Sequence, residues 1–189
     1  MPELTPDVVE RFYAILAIVG IGAIVIIAGL RVLAIGSDGA LDAYAALARA
    51  VQPRAVSLAW VVAMLATVGS LYFSEVAGFT PCTLCWYQRI AMYPMVVILG
   101  VGAVRRVRSV PGTAALAAIG AVTAGYHVAL EWVPSLDTGA CALATPCTLV
   151  WFRAFGVFSL PTLALVAFML ILTLLLVRDP DEPATRADR

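Results

Sequence analysis

Lysine is missing from this sequence, and histidine occurs once; all 12 basic residues are arginine. Charge of either sign is scarce, at 13% of residues, and it cancels to a net charge of zero. No global field therefore draws the chain towards nucleic acid. Polar surface is scarce too. Soluble domains carry about 45–50% apolar and about 25% charged residues, whereas this chain is 62% hydrophobic with a mean hydropathy of +0.98. That imbalance excludes a water-soluble single domain, because the surplus apolar surface must face lipid. Internal repeats are absent, and cysteine is limited to four residues.

What the sequence holds instead is a series of long apolar stretches. A helix needs about 20 apolar residues to cross a bilayer core. Phe12–Leu30, Ala55–Ser74, Ser109–Leu130 and Ala154–Val177 approach or exceed that length. Ile90–Val104 is short and reaches spanning length only by starting near Pro81, which places Arg89 about two turns inside the helix. The expected fold is all-α, a polytopic membrane protein with five spans. The first stretch reads as a membrane helix rather than a signal peptide: its flank carries Glu3, Asp7 and Glu10 against Arg11, where a signal peptide has a basic start.

Loop arginines set the expected orientation. One side would hold nine: Arg31, Arg49, Arg54, Arg105, Arg106, Arg108, Arg178, Arg186 and Arg189. The other would hold three, Arg11, Arg89 and Arg153. The richer side is expected in the cytoplasm with the C-terminus, and the N-terminus outside. Cys82 and Cys85, after the second span, then fall outside with Cys141 and Cys147, between the fourth and fifth. Cysteines on the oxidising side of a membrane persist as disulfides.

Four segments follow. Residues 1–35 form the first transmembrane helix and 36–54 a cytoplasmic connector. The connector's stretch Leu41–Val51 reads either as a surface helix or as an Ala-rich linker. Residues 55–177 form the main membrane domain, and 178–189 a polar tail with Pro180 and Pro183. The short Arg105–Ser109 turn makes the third and fourth spans antiparallel neighbours. The aromatic run Leu149–Phe155 has the composition of an interfacial segment.

The first cysteine pair is a C-x-x-C, which fits a redox dithiol or half a zinc site. Thr80 is the expected N-cap and Pro81 the expected first helical residue. The cysteines then lie in the first turns, where free N–H groups and the dipole favour a thiolate. Arg89 follows Cys85 by four residues on the same face, and an intramembrane charge is a functional candidate; the alternative is an arginine snorkelling to headgroups. In the second pair, Cys141 and Cys147 have five residues between them. That spacing allows a small-loop disulfide, either a static staple or a labile relay, and is loose for zinc.

The run Pro81-Cys82-Thr83-Leu84-Cys85-Trp86-Tyr87-Gln88-Arg89-Ile90-Ala91-Met92-Tyr93-Pro94 resembles the first cysteine motif of the DsbB/BdbC disulfide-bond-forming membrane proteins. Pro146-Cys147, with Trp151-Phe152, Gly156 and Ser159-Leu160-Pro161, resembles their second cysteine region. The resemblance covers roughly Ala55–Val177. It implies a four-helix transmembrane bundle over 55–177, with the first helix as an unexplained addition. It also implies an oxidase that takes electrons from a DsbA-like extracytoplasmic thiol oxidoreductase and passes them to a membrane quinone, menaquinone or ubiquinone. By the same resemblance all four cysteines, Cys82, Cys85, Cys141 and Cys147, are catalytic. Cys141 and Cys147 match the partner-facing pair, Cys85 the quinone-facing thiolate, and Arg89 the charge beside the quinone.

His127, the single histidine, matches a quinone-site histidine less closely. It precedes Glu131 by four residues, which fits either a hydrogen-bonded pair at the membrane edge or proton transfer at the quinone. Trp86 and Tyr87 fit an aromatic belt with Trp132 and Trp151, or a lining for the quinone pocket. Glu75 reads as a solvated interfacial acid, and Pro94 as a kink. Two other readings remain: a reductase of quinone-type substrates resembling vitamin K epoxide reductase, and a non-enzymatic scaffold stapled by disulfides or zinc.

Overall fold

In the computed structural model, residues 5–107, 110–137, 139, 141 and 145–180 are described. The expected tail falls mostly outside them. Six α-helices account for most of the chain: α1 (Pro6–Leu33), α2 (Asp38–Val51), α3 (Ala55–Leu71), α4 (Thr83–Val104), α5 (Thr113–Trp132) and α6 (Leu160–Leu176). A 3-10 turn, Gln52–Arg54, joins α2 to α3, and α3 widens into a π turn over Tyr72–Val76. Four segments are long and apolar enough to cross a membrane: α1, the Asp38–Val76 run, α4 and α5. At 17 residues α6 is shorter, about 25 Å at 1.5 Å per residue.

Helices α3, α4, α5 and α6 pack in a ring in that order, with α4 and α6 across the diagonal. Their shared core alternates small and large side chains: Ala59, Ala63, Ala91, Ala117, Ala121 and Ala124 against Met95, Leu99, Phe168 and Ile171. In lipid, packing rather than the hydrophobic effect joins helices, so small residues that let backbones approach carry the association. Gly120 is the clearest case: a Cβ there would run into the Phe168 ring.

The first helix is not a loose addition. Ala14 and Ala17 of α1 are buried against Ala154 and Phe158, and Gly20 faces Val166 and Leu170 of α6. On its other flank the Tyr13 hydroxyl donates to the Leu65 carbonyl of α3 at 3.0 Å. The ring of Tyr13 sits over Gly69, where a Cβ would collide with it.

The connector forms a helix with one face buried. Ser37 caps α2, its hydroxyl accepting from the Ala40 N–H at 3.5 Å. Tyr44 and Ala48 pack with Ile27 of α1 and with Val177 just past α6. The buried Gln52 side chain accepts from the Asp179 N–H at 3.0 Å.

Two helix starts differ from expectation. The fifth span begins at Leu160 rather than Ala154. Phe155 and Gly156 both have positive φ, 53° and 78°, and two successive left-handed residues cannot open a right-handed helix. They form a tight reversal in which Ala154 pairs with Phe158, and Pro161 then takes the first turn of α6. In α4 the N-cap is Cys82 rather than Thr80. Cys82 is extended, at φ −79° and ψ 175°, and its own sulfur accepts from the Cys85 N–H. Pro94 lies inside α4, which continues through it.

Candidate functional site

The site is built at one end of the bundle. Because Cys82 caps α4 with its sulfur, Sγ is held over the first turn, 3.3 Å from the Cys85 N–H. Cys85 follows one turn later, and the two sulfurs lie 2.8 Å apart as free thiols. Cys141 and Cys147 are joined in a disulfide. Cys147 is 1% exposed, whereas Cys141 is only partly covered. The pair therefore offers one accessible sulfur and one buried sulfur.

His127 joins the pairs. Its Nε2 lies 3.1 Å from the Cys147 carbonyl and 3.7 Å from Cys82 Sγ. A carbonyl only accepts, so Nε2 carries the proton, and Nδ1 accepts from the Gln88 amide at 3.1 Å. Sulfur of Cys82, sulfur of Cys147 and a His127 nitrogen lie within 4.8 Å of one another. That closeness resembles a metal cluster, but the sulfur of Cys147 is committed to the disulfide. Even with the neighbouring Cys85, two free cysteines and one imidazole fall short of the four ligands of a structural zinc.

Cys82, at the mouth of the helix, has its thiol held below the ordinary range. The hydrogen bond from the Cys85 thiol is the largest cause, and His127 adds to it.

Cys85 faces another way, into a cavity of about 330 Å³ between α1, α3, α4 and α6. Its polar lining includes Ser70, Gln88, Arg89, Tyr93 and His127. Arg89 is held from α3, where Nε donates to Ser70 Oγ and Nη2 to the Ser70 carbonyl, both at 3.0 Å. Those bonds form just before α3 widens into its π turn, a distortion often found at functional sites. The Ser70 hydroxyl also meets the Tyr93 hydroxyl at 3.4 Å. Phe79 and Trp151 line the cavity mouth with rings stacked 4.8 Å apart, and Phe73 stacks on Phe79 at 5.7 Å.

The structure brings Cys82, Cys85, Cys147, Arg89 and His127 together. Of the two readings for Trp86, cavity lining is not what the structure has: it is 53% exposed, as an aromatic belt residue would be, and stands under Arg89, whose guanidinium lies 5.2 Å from its ring centre. His127 does not pair with Glu131 either. The Glu131 carboxylate takes the Ser159 hydroxyl, and its carbonyl takes Arg153, whose guanidinium covers Trp132 at 4.1 Å. The run expected at the interface packs partly inward, with Trp151 and Phe152 against Phe79. Ser70 was silent in the sequence. Gln88 and Tyr93 had a signal, since Gln88 is three residues after Cys85 and Tyr93 four after Arg89, both on the cavity face.

A helical membrane bundle with a free dithiol against a disulfide defines a class, the polytopic membrane thiol oxidoreductases. Within it, the chain belongs to the family of disulfide bond formation protein DsbB, whose family model matches residues 52–178. It is 42% identical over 133 residues to a probable disulfide formation protein of Oceanobacillus iheyensis, covering 67% of this chain and 91% of that one. It is 44% identical over 117 residues to disulfide bond formation protein C of Bacillus subtilis, covering 60% and 83%. No solved structure matches the chain. The matched residues 52–178 take in α3 to α6 and leave out α1 and α2.

Proposed function

We propose that this protein is a disulfide oxidase that withdraws two electrons from a reduced DsbA-like thiol oxidoreductase outside the membrane and delivers them to a membrane quinone. One observation carries the reading: Cys82 lies beside the disulfide while Cys85, one turn on, opens into an apolar cavity next to Arg89.

The exchange balances as follows. A thiolate of the partner attacks Cys141, the accessible sulfur, and the Cys141–Cys147 bond breaks with Cys147 leaving as thiolate. Cys147 attacks Cys82 in an oxidised Cys82–Cys85 pair, and Cys85 leaves as thiolate on the cavity side. The partner's second thiolate then attacks its sulfur bound to Cys141, releasing an oxidised partner. Cys141 closes on Cys147 and frees Cys82. The result is a dithiol at Cys82/Cys85 beside an intact disulfide, the arrangement seen here. Each step is thiolate attack on a disulfide, favoured by stable leaving thiolates. The Nε2 proton of His127 lies close enough to stabilise Cys82 as it leaves.

The cavity suits a quinone. Small-ligand pockets run from about 300 Å³, mostly apolar with a few placed polar groups, and this one sets Arg89, Tyr93 and Gln88 at one end of an apolar slot. A bound quinone would supply the two-electron acceptor, and the chain would supply position and charge. Arg89 is placed to stabilise negative charge on a ring oxygen, and Cys85 is the reacting sulfur on that side.

Purified protein given a reduced DsbA-type dithiol protein should consume quinone, followed by its ultraviolet absorbance. Cys85→Ser and Cys147→Ser should each stop turnover. Undiminished quinone loss in Cys85→Ser would defeat the proposal.

A further inference from the structure

We infer that α1, which lies outside the matched family segment, forms one wall of a slot for the quinone's polyprenyl tail and so makes this enzyme selective for tailed quinones. The inference rests on the quinone reading of the cavity. It arises from the cavity's shape rather than from the cysteines. Tyr13, Leu16, Ala17, Gly20 and Ala23 all line it. They span three turns of α1, about 15 Å at 1.5 Å per residue. Tyr13 apart, whose hydroxyl is taken up by the Leu65 carbonyl, the polar lining belongs to the Arg89 end. Deeper in, Val62 of α3 and Leu170 of α6 stand opposite α1 and every contribution is apolar. A ring needs only the polar end; a slot this long beneath it matches a chain.

The wall is fixed. Tyr13 is tied to Leu65 and seated on Gly69, and Ala14 and Ala17 are buried on the α6 side. Without α1, the gap between α3 and α6 would be closed by lipid. A tail gains little by moving from lipid to an apolar wall, since both media are equally apolar. Fit therefore decides, and a wall of small residues at Ala17, Gly20 and Ala23 leaves the room that larger ones would fill.

The test uses the full chain in nanodiscs and two probes with the same naphthoquinone ring, one with four isoprene units and one with none, with binding read by quenching of protein tryptophan fluorescence. Ala23→Phe should weaken the tailed probe about tenfold, the order that one mis-sized group in an apolar pocket produces, and leave the tailless probe unchanged. Val25→Phe, on a 63% exposed position off the cavity, should change neither. Equal loss of both probes, or of neither, in Ala23→Phe overturns the role of α1. Failure of the unaltered protein to bind either probe instead overturns the quinone reading. Should Ala23→Phe fail to fold, the unaltered protein carries the test: a quinone with a photoreactive group on its tail should label the Tyr13–Ala23 segment, and labelling confined to other helices refutes the proposal.

Discussion

Cys82 shows how much chemistry one residue's backbone position can impose. As N-cap, it points its sulfur at the free N–H groups of the first turn of α4, where negative charge is favoured. The Cys85 thiol and His127 then both donate towards it. Groups that stabilise the thiolate lower the pKa, so removing them must raise it. In Cys85→Ala the Cys82 titration, followed by thiolate ultraviolet absorbance, should move up towards the ordinary value of about 8.5. In His127→Ala it should move up less, because the Cys85 hydrogen bond is the larger cause. A Cys82 midpoint indifferent to Cys85→Ala would contradict this account. Arg89 is the second such residue. A charge at a membrane helix centre costs about 2.5–3.5 kcal/mol; here two hydrogen bonds to Ser70 and the Trp86 ring offset part of that cost.

Elements were more legible than their ends. Each of the five apolar stretches became a helix, because length and apolar composition are properties of the local sequence. The starts of α4 and α6 were not legible in the same way. Thr80-Pro81 fits the usual pattern for a cap and first residue, and only the sulfur contact of Cys82 with the Cys85 N–H shows that the helix begins later. The α6 start depends on a reversal at Phe155 and Gly156 held by the Ala154–Phe158 pair. The cysteine pairs and Arg89 were readable from spacing; the meeting of Cys82 with Cys147 was not, since it needs α4, α5 and the following loop in register. Packing between elements makes its own prediction. Gly120 lies flat against Phe168, so Gly120→Ala should destabilise the bundle by about 1–3 kcal/mol through overpacking. Adding Phe168→Leu should recover part of the loss. Thermal unfolding in detergent measures both, and an unshifted midpoint in Gly120→Ala would mean that α5 and α6 are less closely joined than described.

At the scale of the whole molecule, the arrangement has two ends with different work. One gathers all four cysteines, His127 and the mouth of the cavity. The other gathers α2, packed beneath α1 and α6 and tied through Gln52 to Asp179, together with most of the arginines among the described residues. By the arginine bias, this second end is expected to face the cytoplasm. The proposed thiol exchange with an extracytoplasmic partner requires the opposite placement for the first. The two arguments use different residues, so they can be tested by one experiment. In intact cells treated with a reductant, a membrane-impermeant maleimide should label Cys141, the partly covered sulfur of its pair. A cysteine introduced at Ser37, the exposed cap of α2, should react only after permeabilisation. Labelling of the Ser37→Cys site in sealed cells, with Cys141 protected, would invert the orientation and remove the route by which an external dithiol could reach the relay.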